Sequence, residues 1–433
     1  MPIWDSYYET LAPDDMRQLQ LERLQRTVNR AYKNVAFYHD LFDRLGLAPE
    51  DFQSLDDLRR LPFTTKDDLR AAYPYGMFGV PLREVVRVHA SSGTTGRQTV
   101  VGYTRNDLDN WSELAARFMS AGGVTRDDVV QIFFGYGMFT GALGLHYGAE
   151  RIGASVIPAS AGGTERQVQL IQDFKTTTLV GTPSYALHIA EVMAERGVDP
   201  AATRLRLGLF GSEPWSERMR QELQTRLGIA ATDNYGLSEV GGPGVSGECD
   251  RQNGLHVSED HFLPEIVDPD SGEVLPPGSQ GELVLTTLTK EALPLLRYRT
   301  RDITRLDPEP CPCGRTTIRM SRVARRTDDM LIVRGVNVYP AQIEDVLMAI
   351  EGVQPHYHIT LDRAGGLDQI EIAVEISAEV FRDTVGGVLE IEQKITQAVQ
   401  QALGFTPEVR LVEPRTLERA AGKARRVTDK RQL

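Results

Sequence analysis

Six consecutive small or hydroxylated residues, "SSGTTG" at positions 91–96, stand between two stretches with strand character in "VRVHASSGTTGRQTVVGYT". A turn needs one or two glycines. The excess describes a backbone lying close to an anion, with N–H groups and hydroxyls turned toward it and no Cβ bulk in the way. Gly96 is followed by Arg97 and Gln98, so this is not a Walker loop. Alone, it reads equally as a phosphate cradle and as a structural turn. Three further segments offer groups of the right kind. "FGSEPW" (210–215) ends a buried strand pattern with Gly211, at the carboxyl edge where open α/β sheets bind ligands. "DNYGLSEVGGPG" (233–244) places Tyr235, a glycine turn and the Glu239 carboxylate in one short loop, and "YRTRD" (298–302) ends in Asp302, an acid suited to the two hydroxyls of a ribose.

The elements that must position these residues follow from periodicity. Leu21, Leu24, Val28, Ala31 and Val35 recur at helical steps after a Pro13-Asp14 start signal. From Val129, the apolar runs "VVQIFF", "ASVIP", "TTLVGT" and "LRLGLF" alternate with segments of helical length, the rhythm of a parallel sheet covered by helices. Beyond Tyr235, Asp-Ser-Gly and Pro-Pro-Gly turns separate alternating runs, which predicts a small antiparallel β-barrel appendage. From Asp328 a hairpin, a helix, a strand, a helix and a last strand, "EVRLVE", predict a separate α+β unit. The expected fold class is α/β, with a large N-terminal domain (1–327) and a small mobile C-terminal domain (328–433) hinged at Asp328.

With 433 residues the chain can bury more than one core. Forty-eight basic against sixty acidic residues give a net charge of −12, and no basic stripe is present, so nucleic acid is not an expected partner. No apolar run approaches the ~18 residues of a membrane span, and no signal-like segment opens the chain. Three cysteines, an odd number, fit a reducing compartment and a cytoplasmic location. A homodimer is compatible with this composition.

These motifs, with "TDDMLIVRGVNVYPAQIEDVL" and the terminal "GKARRV", resemble the adenylate-forming acyl-CoA ligases and specifically the phenylacetate-CoA ligase family, in order and spacing from about Tyr32 to the C-terminus. The resemblance implies ATP, Mg²⁺ and CoA, and an aromatic acid as substrate. It implies that Ser92, Gly93, Thr94, Thr95 and Gly96 hold the β- and γ-phosphates. Ser212, Glu213 and Pro214 would border adenine, with Tyr235 on its face and Asn234, Gly236 and Ser238 beside the nucleotide. Glu239 would hold Mg²⁺. Asp302 would accept the ribose hydroxyls, with Arg326 near the same sugar, and Lys423 would bridge the substrate carboxylate and the α-phosphate. Arg334, Gly335, Val336 and Tyr339 would line a pantetheine channel. The chain has Arg301 where glycine is common in the wider superfamily.

Tyr136 and Phe139 in "FGYGMFTGALG", with Gly236, Gly241 and Gly242, suit a flat ring, although packing against the sheet would use the same aromatics. Lys66 follows a Thr65/Asp68 capping pair, where a cation opposes the helix dipole. An anion contact would explain it, and so would solvation. Cys249, His256, Cys311 and Cys313 make a closed set of zinc ligands. Cys-x-Cys is shorter than usual, so buried free cysteines are the other reading, but similar chains in the family carry the same pattern. The expected activity is an ATP-dependent aryl-carboxylate–CoA ligase. The alternatives are an aryl acid adenylating enzyme that loads a carrier protein, and a non-catalytic nucleotide-binding homologue.

Overall fold

The computed structural model describes residues 3–91, 98–333, 336–364, 367–377, 380, 385–419 and 426–431. The chain opens with the helix Pro13–Asn34, which buries Leu24, Val28 and Ala31 as their spacing requires. Strands β1 (Arg87–Ala90) and β2 (Val100–Tyr103) pair antiparallel and flank the glycine-rich loop. Then β3 (Val129–Ile132), β4 (Ser155–Ile157), β5 (Thr178–Gly181), β6 (Leu207–Gly211) and β7 (Ala230–Leu237) form the parallel part of a large sheet, spatial order 4-3-5-6-7. Helices cover both faces. Leu179, Tyr185, Ile189, Phe210 and Leu223 build one core, and Ala115, Met119, Ile132, Leu145 and Leu209 the other.

The turn-rich strands are antiparallel as expected, but they form no separate barrel. β8 (Gly242–Glu248), β9 (Leu255–Val257), β10 (Phe262–Val267), β11 (Gln280–Thr287), β12 (Tyr298–Asp307) and β13 (Arg319–Met320) continue the same sheet in the order 7-8-9-13-12-11-10, an open arm packed against the N-terminal helix. β14 (Arg325–Arg326) adds to β12, setting Arg326 opposite Asp302. β7 and β8 pair directly, which forces the second set of strands to grow from the edge of the first.

Past the hairpin of β15 (Leu331–Val333) and β16 (Val336–Val338) lies a four-stranded sheet. It comprises β17 (Val353–Ala364), β18 (Leu367–Ile376), β19 (Glu408–Val412) and β20 (Val427–Asp429), in the order 19-18-17-20. Among the described residues, the helices Pro340–Met348 and Val385–Leu403 accompany it. Its core is its own, drawn from Val333, Ile343, Leu347, Ile359, Ile372, Ile395 and Val399 among others. Sequence periodicity missed β17, whose His356, His358 and Asp362 blur the apolar alternation, and β20, which is only three residues long. Among the described residues no helix is long and apolar enough to cross a membrane.

Under the carboxyl edge of β6 and β7 lies a dense buried charge network. Arg220, fully buried, donates both to the Glu248 carboxylate at 2.7 and 2.8 Å and to the Ala231 carbonyl at 2.6 Å. Glu248 also accepts from the Asp233 backbone N–H at 2.8 Å. Trp215 lies between two guanidiniums, Arg220 at 5.0 Å and Arg322 at 5.2 Å from its ring centre. Burial, with the Glu248 carboxylate beside it, pushes Asp233 up to about 8, against the opposing pull of Arg220. The folded protein therefore holds this proton to higher pH than the unfolded chain, and Asp233 costs stability increasingly as pH rises from about 4 to about 8. Asp233→Asn should leave stability near that of the parent at pH 4 and exceed it at pH 9. Urea unfolding at both pH values checks this, and a difference that is constant or reversed would contradict the assignment.

Candidate active site

The site is built from the loops that leave the carboxyl edge of β6 and β7. Gly211 ends β6 so close to its neighbour that a Cβ there would lie 2.5 Å from the Asn234 carbonyl oxygen. The Asn234 side chain donates to the Phe210 carbonyl at 2.7 Å, tying the two strand ends together. Ser212 then takes φ +70°, a left-handed conformation that swings the chain out of the sheet. Glu213 returns it by accepting from the Ser184 backbone N–H at 2.8 Å, in the first turn of the helix Pro183–Glu195, where the dipole favours a carboxylate. Residues 212–214 thus form a ledge at the sheet edge.

Across the ledge stand Tyr235, Asp302 and Arg326. The Tyr235 hydroxyl donates to Asp302 Oδ2 at 2.6 Å, and Arg326 Nη1 donates to Oδ1 at 2.7 Å. Arg326 also donates to both oxygens of Asp328, at 2.9 and 3.1 Å. Burial opposes its charge, but the Asp302 and Asp328 carboxylates outweigh burial and raise its pKa. Burial and the same Asp302 charge hold the Tyr235 phenol well above its usual range. Each Asp302 oxygen takes one of these side-chain donors, and a carboxylate oxygen can accept more than one hydrogen bond, so the same acid can also accept from a diol. The preceding residue, Arg301, has φ +68°, a conformation that glycine adopts without the steric cost a side chain brings.

Glu239 is buried in the short turn after β7. Its Oε1 accepts from Thr99 Oγ1 at 3.2 Å and lies 3.6 Å from Lys66 Nζ. The Thr65/Asp68 capping box is present, so the helix Lys66–Ala71 starts as expected and delivers Lys66 to an anion. Residues 92–97, and with them Ser92, Gly93, Thr94, Thr95 and Gly96, lie outside the described residues. So do Arg334, Gly335 and Lys423, and the side chain of Val336. The neck of the glycine-rich loop is described: Ser91 and Thr99 face each other, with the Ser91 N–H on the Thr99 carbonyl at 3.0 Å and the Thr99 N–H on Ser91 Oγ at 3.0 Å. Thr99 therefore brings the loop's root to Glu239, a link with no signature in sequence spacing.

Behind Glu239, β7 and β8 approach so closely that a Cβ on Gly236 would lie 2.1 Å from the Gly242 carbonyl oxygen. Gly241 and Gly242 both take positive φ, +139° and +95°. Ser238 Oγ and Thr140 Oγ1 meet at 3.0 Å, tying this turn to the residue after Phe139. Tyr136 is half-buried and packs against the sheet core, as the packing alternative expects, whereas Phe139 is 42% exposed. The Tyr136 hydroxyl lies 3.1 Å from His146 Nδ1, and His146 Nε2 lies 3.1 Å from Glu150 Oε1, an aromatic wall braced from the helix Gly141–Ile152. Tyr339, far along the chain, has the Arg325 guanidinium 4.7 Å from its ring centre.

Away from this crevice, one ligand atom each from Cys249, His256, Cys311 and Cys313 lies within 4.8 Å of the others. The Cys249 and Cys311 sulfurs are 3.8 Å apart, and Cys313 Sγ is 3.4 Å from His256 Nε2. A tetrahedron with Zn–S bonds of about 2.3 Å has S···S edges of about 3.8 Å, so the donor set and its spacing fit zinc. His256 Nδ1 is 3.1 Å from Thr317 Oγ1, which leaves Nε2 facing the sulfurs. Burial, with Arg315 and Arg319 nearby, holds the imidazole down to about 4, hence neutral at pH 7.

Comparison with known proteins accounts for both parts of the chain. Residues 79–288 match the AMP-binding enzyme family, and residues 335–431 the AMP-binding enzyme C-terminal domain. The chain is 51% identical to the phenylacetate-coenzyme A ligase of Thermus thermophilus, over 98% of each chain. Among solved structures it is similar to 2-hydroxyisobutyryl-CoA ligase in the postadenylation state with R3-HIB-AMP, at TM-score 0.91 and 30% identity, covering 98% of this chain and 91% of the other. Against the thioesterification state of 2-hydroxyisobutyryl-CoA ligase with 2-HIB-AMP and CoA the TM-score is 0.72, at 30% identity and 99% and 93% coverage. A likeness that runs the length of both chains, through motifs whose described side chains gather on one sheet edge, has one meaning: the chain belongs to the phenylacetate-coenzyme A ligase family of adenylate-forming enzymes.

Proposed function

We propose that this protein joins an aryl carboxylate to CoA at the expense of ATP. In the first half-reaction a carboxylate oxygen attacks the α-phosphorus and the bond to pyrophosphate breaks. In the second the CoA thiol, losing its proton, attacks the acyl carbon and AMP leaves. The observation that carries this reading is the convergence of the Ser212–Pro214 ledge, the Tyr235–Asp302–Arg326 network and the Glu239 carboxylate on one edge; Tyr136 and Phe139 are proposed to flank the aryl ring there. Free CoA is preferred over a carrier protein as acceptor because the near-full-length relative is a CoA ligase.

The side chains then take these roles. Asp302 accepts the ribose hydroxyls, and Arg326, already bonded to Asp302, lies near the same sugar. Ser212, Glu213, Pro214, Asn234, Gly236 and Ser238 frame the nucleotide, with Tyr235 against its base. Thr94 and its neighbours in 92–96 hold phosphate oxygens. Glu239 and the oxygen of Thr99 fit a hard cation, and Mg²⁺ bound there would neutralise phosphate charge. Lys66, loosely paired at 3.6 Å, is free to move toward a phosphate. Lys423 stabilises charge developing on the α-phosphate. Gly241 and Gly242 make room for the ring. We place the domain boundary at Asp328 and the pantetheine path along Arg334, Gly335, Val336 and Tyr339. The location is proposed as cytoplasmic, where thiols stay reduced.

Lys423→Ala should lower aryl-acid-dependent pyrophosphate exchange about 10²–10³-fold, while thioester formation from supplied acyl-adenylate persists. Equal loss of both half-reactions would remove Lys423 from its role. Run on the parent protein with a panel of aryl acids, with and without CoA, the same assay tests the ligase reading itself.

Cys249, His256, Cys311 and Cys313 are proposed to hold one structural zinc ion, which would crosslink the loops after β8 and β12. Elemental analysis should find about one zinc per chain, and chelation should lower the unfolding temperature. A metal-free preparation of equal stability would exclude the site.

A further inference from the structure

The helix Pro183–Glu195 begins at the nucleotide ledge and ends beneath the C-terminal unit. Near its end, Glu191 gathers three partners. His188 Nδ1, on its own helix, lies 3.2 Å from Oε2, and His356 Nε2, from β17, lies 2.8 Å from Oε1. Arg419 donates Nε and Nη2 to the two oxygens at 3.3 and 3.4 Å. Burial opposes the charge, but the histidine hydrogen bonds and the Arg419 charge hold the Glu191 carboxyl far below its usual range. The rest of the Arg419 guanidinium is held bidentately by Glu375, at 2.7 and 2.8 Å, and Glu375 is almost fully buried in the small domain. Arg419 is thus shared between a carboxylate of each domain. A few residues further on, Arg426 is tied within the small domain to Glu344 and to the Tyr357 hydroxyl. The segment 420–425, which carries Lys423, therefore runs between two anchored arginines. The Arg419 anchor reaches the large domain through Glu191, and the Glu213 carboxylate of the nucleotide ledge acts on Arg426 through its charge.

We infer that Glu191 is a positioning residue for acyl-adenylate formation: by clamping Arg419 and His356 it holds the small domain in the arrangement of that half-reaction, and it must let go before thioester formation. This rests on the ligase reading above. The chain matches the postadenylation arrangement of 2-hydroxyisobutyryl-CoA ligase far better than its thioesterification arrangement, at equal identity, so the Glu191 contacts belong to the former. The hydrogen bonds and ion pairs named here across the junction are between polar side chains, which suits a contact that must part. It is completed by the Glu195–Arg415 ion pair and by Arg226 on Gln354 at 3.3 Å. Two carboxylates around one guanidinium hold through charge rather than apolar area, so the clamp can release without exposing a core.

Glu191→Gln keeps the shape and removes the charge. It should slow aryl-acid-dependent pyrophosphate exchange about 10- to 100-fold, as misplacing a catalytic group does, and leave thioester formation from supplied acyl-adenylate unchanged or faster. In the same protein, hydrogen–deuterium exchange should rise at 417–419 and 426–431 and stay as in the parent across β5 to β7. The exposed pair supplies a second variant that does not threaten folding. Arg415→Glu should weaken exchange about two- to threefold by repulsion from Glu195, and adding Glu195→Arg should restore it. Equal loss of both half-reactions, unaltered hydrogen exchange, or failure of the swap to rescue would overturn the inference. If the parent itself shows no aryl-acid-dependent exchange, the ligase reading fails instead, and the hydrogen-exchange result alone decides whether Glu191 holds the domains together.

Discussion

The architecture of the site depends on how tightly three strands meet at one edge. The Asn234 carbonyl of β7 would lie 2.5 Å from any Cβ that Gly211 of β6 could carry, and the Gly242 carbonyl of β8 2.1 Å from one on Gly236 of β7. Such spacing admits glycine only. Because the backbones approach that far, the loops after β6 and β7 leave the sheet side by side, and Ser212, Tyr235 and Glu239 emerge into a common space. A side chain at Gly211 or Gly236 would spread the strands and separate the groups before any of them was altered.

Charge is used differently above and below that edge. Below it, Arg220 and Glu248 satisfy each other in full burial, and their neighbour Asp233 carries a proton in consequence. Above it, Asp302, Arg326 and Asp328 form a chain of charged hydrogen bonds with solvent at its far end. The chain runs from the proposed ribose site to the proposed hinge, so a ligand that takes Asp302 away from Arg326 necessarily changes what holds Asp328.

The small domain is complete without the large one, having a four-stranded sheet and an apolar core of its own. Its junction with the helix Pro183–Glu195 consists of carboxylates, guanidiniums and imidazole. A body with a closed core and a polar contact face can change position without losing stability. The same separation explains why two distinct families of known domains match the two parts of the chain.

Local chemistry was legible in the sequence. The Thr65/Asp68 cap, the helix from Pro13, the parallel strands from Val129 to Gly211 and the ligand types at Cys249, His256, Cys311 and Cys313 are encoded within short windows, because capping, periodicity and donor identity are properties of neighbours in the chain. Motif order also carried the family. Tertiary structure decided whatever depends on approach between distant segments. It made the turn-rich strands an open arm of one sheet, since β8 pairs with β7 and the strands beyond it extend that sheet instead of closing on themselves. It gave Lys66 a carboxylate 173 residues away at Glu239, supplied Thr99 as the root of the glycine-rich loop, and occupied Asp302 with Tyr235 and Arg326. It also turned Glu191, one acid on a helix surface by its sequence, into the meeting point of two domains. Spacing in the chain says nothing of such contacts, because their energies depend on distance and burial in space, and those exist only once the sheet has formed.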